Sequence, residues 1–312
     1  MPISNYPSGF AHGVSIRGLP LLSQYGGNVW WVDSVNGSNA NAGTHNRPFA
    51  TLAQAVTAAT ASNGDIVMVK AGHAETISAA GGIALSKAGM AFIGLGVGSQ
   101  RPTISIGTAT SATMTVTAAN VTIKNFIFSA TFADVVAALD VTGTNFTAED
   151  CVFQDSAADL NMKSAITCSG AAGTANGLYV ARNRFNSADA ATLGFILTTD
   201  DVTDATIIDN VVISEGTGLA TLITNATGKD MKRVFVARNF LSAKATAGAL
   251  FISNDTASPN NSGIIAHNRV GHADVTGAHS MGAVGGCRFF DNLSVSTDAL
   301  SGFVLPAIDV DL

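Results

Sequence analysis

Tyr179–Phe185 reads YVARNRF and Phe235–Leu241 reads FVARNFL, and five further segments obey the same grammar. They are VTIKNFIF from Val121, FTAEDCVF from Phe146, TIIDNVVI from Thr206, IIAHNRV from Ile264 and RFFDNLSV from Arg288. Each runs from alternating apolar residues to a charged residue or histidine, then Asn or Asp, then more apolar residues. The amide or carboxylate falls at Asn125, Asp150, Asn183, Asn210, Asn239, Asn268 and Asn292, with neighbours 24–33 residues apart. A strand-rich unit of that size, repeated, reads as a stacked solenoid.

Side chains on a strand alternate between faces, so residues two positions before and after the Asn share its face. Before it stand Ile123, Ala148, Ala181, Ile208, Ala237, Ala266 and Phe290; after it stand Ile127, Val152, Phe185, Val212, Leu241, Val270 and Ser294. This apolar face is expected to be the interior. An inward Asn at a strand end suits a coil corner, where it can bond turn backbone and stack on the Asn of the next coil. The seven Asn or Asp residues are thus expected to form one structural ladder.

Immediately before them stand Lys124, Glu149, Arg182, Asp209, Arg238, His267 and Asp291. With coils about 4.8 Å apart, this outward file is expected to form an ion column in which opposite charges meet. Such pairs contribute only about 0.2–1 kcal/mol each, but a shifted register would bring like charges together. Read as chemistry, Glu149 and Asp209 would lie about 9.6 Å apart with Arg182 between them, which favours ionised carboxylates over a general acid.

A second apolar segment precedes most copies, including MTVTA from Met114, AITCS from Ala165 and GFILTT from Gly194. Each coil therefore holds two or three strands. The expected fold is all-β, a single right-handed parallel β-helix, with a β-sandwich as the alternative. About nine coils would span roughly 40 Å. Residues 1–29 form an extended N-terminal arm, 30–300 the helix, and 301–312 a C-terminal tail. After Pro48 the spacing of Phe49, Leu52, Ala53 and Val56 marks a helix near 49–61, expected to cap the first coil.

Composition narrows the function. Charged residues make up 12% of the 312-residue chain against 47% hydrophobic, with 32 glycines and a net charge of −6. Clustered Lys and Arg are missing, so nucleic acid is not an expected partner. The first thirty residues lack the pattern of a secretory signal, and no apolar run reaches bilayer length, so a membrane is not expected either. Cys151, Cys168 and Cys287 lack ligand spacing and read as buried thiols.

Candidates for chemistry are few. Asp200, Asp201 and Asp204 form the densest acidic group and are expected in a solvated turn, although a catalytic or cation role is the alternative. The loop carrying Asp33, Asn36, Gly37, Ser38, Asn39 and Asn41 is spaced faintly like a calcium loop but lacks the closing bidentate acid. His73 is read as fixing a bend, and His45 completes no triad. No catalytic residue, metal or cofactor is assigned.

WVDSVNGSNANAGTHNRPFATLAQAV followed by NGDIVMVKAGHAET resembles the N-terminal capping segment of pectate-lyase-like β-helix proteins. Within that group, GFAHGVSIRGLPLL and VKAGHAET are similar to a family of small β-helix proteins that tailed bacteriophages and prophages encode among their virion structural genes. The resemblance covers about the first hundred residues and extends to the coils only in pattern. It implies a non-enzymatic virion component, read here as decoration or cement on the head surface, made in the host cytoplasm without a signal peptide. Ile16, Arg17, Leu19, Leu21 and Leu22 of the arm would dock on major capsid protein, another virion protein or a sister chain. A homo-oligomer, read as a trimer, is implied. The second reading is a tailspike-type domain that binds or degrades polysaccharide.

Overall fold

The computed structural model describes residues 26–216, 222–226, 228–243, 260–272 and 286–296, and the strand backbones of 14–16, 19–21 and 252–253. Three parallel sheets wrap one core. The first stacks ten strands, from Val29–Val32 at one end through Thr122–Lys124 and Tyr179–Ala181 to Gly286–Phe290 at the other. The second stacks nine, from Ala74–Ile77 to Leu293–Ser296, and the third seven, from Ala80–Leu85 to Ile252–Ser253. The chain visits the sheets in turn, so each coil lays one strand on each, and the fold is a parallel β-solenoid.

The alternation of the strands makes the core. In the first sheet Val67, Phe92, Ile123, Ala148, Val180, Ile207, Val236 and Ile265 are all buried and occupy one file of paired positions. Aromatic rings stack from coil to coil inside the core. Phe128 lies 5.0 Å from Phe153 at 9° between planes, and Phe195 meets Phe153 at 6.0 Å and Phe185 at 5.7 Å. Each ring removes a large apolar area from water, on the order of 1.5–3 kcal/mol per side chain.

A helix covers the open end of the first coil. It spans Leu52–Ala58, begins where the Thr51 hydroxyl accepts from Gln54 N–H, and buries Leu52, Ala55 and Val56. Leu52 reaches the solenoid axis beside Leu85, Phe92, Met114, Ile123, Phe126 and Phe128. Asp65 ties this cap to the stack. Its carboxylate accepts from the N–H groups of Asn28 and Thr60, the Trp30 indole and the Asn63 amide at 2.7–3.0 Å. Burial alone would raise this carboxyl, but the donors win and hold it far below the usual carboxylate range.

Within the 1–29 arm, Val14–Ile16 and Leu19–Leu21 pair antiparallel, with Ile16 opposite Leu19 and Val14 opposite Leu21. Arg17 and Leu22 lie outside the described residues, as does the 301–312 tail.

The register differs from the sequence reading at two copies. Lys124 pairs with Glu149, and Glu149 pairs with Ala181, not with Arg182. Ile127, Val152 and Arg184 pair across the second sheet. The first two copies are therefore one residue out of step with the last five. Asn125 and Asp150 align with Arg182, and the positions aligned with Asn183 are Phe126 and Cys151. The interior assignment changes accordingly: Phe128 and Phe153, not Ile127 and Val152, point into the core. Ile208 is only partly buried, and Phe290 is 52% exposed.

Candidate functional site

The corner between the first and second sheets is where the repeated polar residues gather. One residue at each corner adopts left-handed backbone: Asn125, Asp150, Arg182, Asp209, Arg238, His267 and Asp291, with φ of 52–65°. Asn, Asp and His are the side chains found most often in this conformation, whereas Arg is strained there by roughly 1–3 kcal/mol. The parallel ladder continues through the corner, since Arg182 N–H donates to Ile208 O at 3.1 Å and Asp209 N–H to Ala237 O at 3.1 Å. Asn125 and Asp150 thus belong to this left-handed file and not to the buried one. In their copies the buried site is taken by Phe126 and Cys151, each 1% exposed.

The buried file proper comprises Asn183, Asn210, Asn239, Asn268 and Asn292, none more than 2% exposed. Asn183, Asn210, Asn239 and Asn268 each donate Nδ2–H to the Oδ1 of the next Asn at 2.9–3.1 Å. That same Oδ1 accepts the backbone N–H of the preceding rung, at 2.8–3.0 Å. The second Nδ2 proton goes to a carbonyl one coil back, such as Val180 O from Asn210 at 2.9 Å. The amides are thereby satisfied inside an apolar core, where an orphaned donor would cost about 1–3 kcal/mol. Asn125 instead donates to Gly94 O and Gly96 O.

Outside the corner, charges meet as separate clusters. Lys124 reaches Glu149 at 3.1 Å and Asp150 at 3.2 Å, and Arg182 reaches the same carboxylates at 3.0 and 2.9 Å. Lys124 and Glu149 sit on strands one step before the left-handed file, so the expected single column is here two columns wide. Burial would raise Asp150, but Arg182 and Lys124 outweigh it and lower its carboxyl. Arg238 grips Asp209 through two 2.8 Å contacts, and His267 meets Asp291 at 3.2 Å.

The other sequence candidates are placed as follows. Asp200, Asp201 and Asp204 do lie at a turn, beside the short paired strands Val202–Thr203 and Met231–Lys232. Lys229 holds Asp200 at 2.8 Å, Arg233 holds Asp204 by two contacts, and Asp201 accepts Asp230 N–H. Asp200 and Asp204 are lowered by those cations. In the 33–41 loop, Asp33 accepts from Val35 N–H and Asn36 N–H and lies 3.5 Å from Lys70, while Asn39 accepts from Ala50 and Thr51. His73 Nδ1 accepts from Ser34 N–H, which leaves Nε2 to donate to Glu75; Glu75 in turn accepts the first helical N–H, from Leu52. The histidine thus locks loop, coil and cap together. Burial pushes the Cys151 and Cys168 thiols up to about 12. Among the described residues no group of three His, Cys, Asp or Glu side chains could hold a metal ion.

Sequence reading missed an exposed face on both flanks of this corner, in the last coils. Phe235 and Ile264 project from the first sheet at 38% and 41% exposure, Phe240 and Leu293 from the second at 45% and 42%, and Phe290 beside them. Arg184 and Arg269 share the file of Phe240 in the second sheet. Strand parity carried this signal, because the residue directly after each buried Asn must point outward.

No family model and no curated protein sequence matches the chain. Solved structures similar to it include a rhamnogalacturonan lyase, at 14% identity and TM-score 0.43 over 87% of this chain and 75% of that one. A lacto-N-biosidase from Eubacterium ramulus is similar at 9% identity and TM-score 0.38, over 87% of this chain and 67% of its own.

Proposed function

We propose that this chain is a non-enzymatic structural solenoid that works by docking, as a decoration component on the head of a tailed phage. The observation that supports it is the fate of the polar side chains. Acids at the corner and at the 200–204 turn bind cations or backbone N–H groups of neighbouring coils, and so serve the stacking of the solenoid. The flanks of the first corner are left apolar and arginine-bearing, a composition suited to contact with protein. Mass spectrometry of tail-free heads tests the location: hundreds of copies per particle support it, and a handful would assign the chain to the tail. Removal of residues 1–25 is expected to abolish particle binding with the solenoid still folded.

A second reading, glycan cleavage, is favoured by Asp155. Burial, with Asp189 nearby, raises this carboxyl above its ordinary value, as a general acid requires. Its oxygens nevertheless accept Met162 N–H and Ala188 N–H at 2.9 Å, binding two turns together. Loss of capsular or pectic viscosity with purified protein, abolished in Asp155→Asn, would establish the enzymatic reading over the structural one.

A further inference from the structure

The outer surface is unevenly charged and unevenly apolar. On the flanks of the first corner, Arg184, Arg269 and Arg288 are exposed and have no ion pair among the described residues. They stand among the exposed Phe240, Phe290 and Leu293. The opposite margin of the second sheet, where chain turns lead into the third, carries the reverse charge. Its turns over 131–136, 155–163 and 186–194 hold the exposed Asp134 and Asp159 and the half-exposed Asp189 against one base, Lys163, which lies 3.8 Å from Asp134. That margin has its own exposed apolar residues, Val136 at 47% and Leu160 at 36%.

Apolar residues with arginines on one face, and apolar residues with carboxylates on another, are complementary surfaces of the same molecule. We propose that copies of this chain pack side by side, the arginine-bearing corner of one against the acidic margin of the next. A contact that placed the arginine corner on itself would oppose like charges. The charge pattern therefore selects the pairing of unlike margins, which a twofold pair or a head-to-tail ring can both supply. Electrostatic complementarity fixes the register of such a contact, and its aromatic residues supply most of the buried area. The inference goes beyond the docking role above and holds whichever particle protein the solenoid binds.

Sedimentation velocity on the full chain tests it. Assembly at micromolar concentration that weakens with added salt is expected, and a salt-independent monomer would overturn the proposal. The pair Arg269→Glu with Arg288→Glu should raise the dissociation constant about 100-fold, and Asp134→Lys with Asp159→Lys should do the same. All four substitutions in one chain restore the complementarity and are expected to restore assembly. If that chain stays monomeric with a wild-type circular dichroism spectrum, the proposed pairing of faces is wrong. Phe240→Ser leaves every described ion pair in place and should also weaken assembly; unchanged assembly would count against the face.

Discussion

The two halves of the first corner solve one problem in different ways. From Asn183 to Asn292 the buried corner site holds an amide that binds the rung on either side, whereas at Phe126 and Cys151 it holds an apolar ring and a thiol. The backbone is alike in both halves, left-handed at the residue before. What differs is the neighbour. Each Asn oxygen accepts the N–H of the preceding rung, and the residue aligned before Phe126 is Pro102, which has none. An amide ladder cannot start there, so the corner is filled with apolar volume instead.

Phe126→Asn breaks this comparison most severely. The variant loses the buried ring, worth about 3–5 kcal/mol, and buries an amide whose oxygen faces a proline nitrogen. We expect a total loss of about 5 kcal/mol by chemical denaturation. A loss below about 2 kcal/mol would show that the first coils accept an amide as readily as the later ones.

The slip between the halves also marks how far the sequence could be read. Periodicity revealed the solenoid because apolar alternation and the recurring Asn survive every insertion between coils. The one-residue offset was hidden because Lys124-Asn125 and Glu149-Asp150 have the same chemical classes as Arg182-Asn183. Parity could have resolved it, but Phe126, Ile127 and Phe128 are all apolar and fit either phase. Around Arg184 and Arg269, each followed by the inward Phe185 or Val270, the chain declares which face is inside. The exposed corner face was obscured for a related reason: parity puts Phe240 and Leu293 outside, but nothing in an apolar side chain marks it as exposed, and burial depends on neighbours many residues away. His73 and Asp65 were equally illegible as a cap network, since the partners Asn28, Trp30 and Ser34 lie 35–39 residues distant.

Asn210→Ala probes the other half. It strands the backbone N–H and one Nδ2 proton of Asn183, and leaves Val180 O without the Asn210 donor. The expected loss is about 3 kcal/mol, with hydrogen-exchange protection falling in the adjoining coils first. Asn125→Gly, outside the ladder and at ease in left-handed backbone, should cost about 1–2 kcal/mol for its two lost hydrogen bonds. Equal losses at the two positions would remove the distinction between the files.

Acid separates the halves differently, because the ladder is made of amides and the cap is held by carboxylates. Asp65 and Asp33 have folded values below their unfolded ones, so their stabilisation is complete above the unfolded value and is lost as pH falls through the folded one. Asp155 has the opposite sign: its raised folded value adds stability as pH falls toward the unfolded value. Exchange measured at descending pH should therefore expose 28–34 and 49–66 before the coils of Asn210 and Asn239. Asp65→Asn should flatten the acid dependence, and Asp155→Asn should steepen it. Simultaneous opening of both regions would count against a carboxylate-held cap.

The smallest expected effect is the most discriminating, because it asks whether the ladder can grow. Cys151 already occupies the next rung: its N–H donates to Asn183 Oδ1 at 2.9 Å, and its sulfur faces Ile123 O at 3.9 Å. Ile123 O is the counterpart of Ala148 O, the acceptor used by Asn183. An amide in place of Cys151 would find that acceptor, donate its second proton to Asn183 Oδ1, and accept Phe126 N–H. One or two new buried hydrogen bonds, set against a slightly larger side chain, should leave Cys151→Asn more stable by about 1 kcal/mol. A loss of comparable size would mean that the boundary between the halves is set by packing around Phe126 and Phe153, with Pro102 as a bystander.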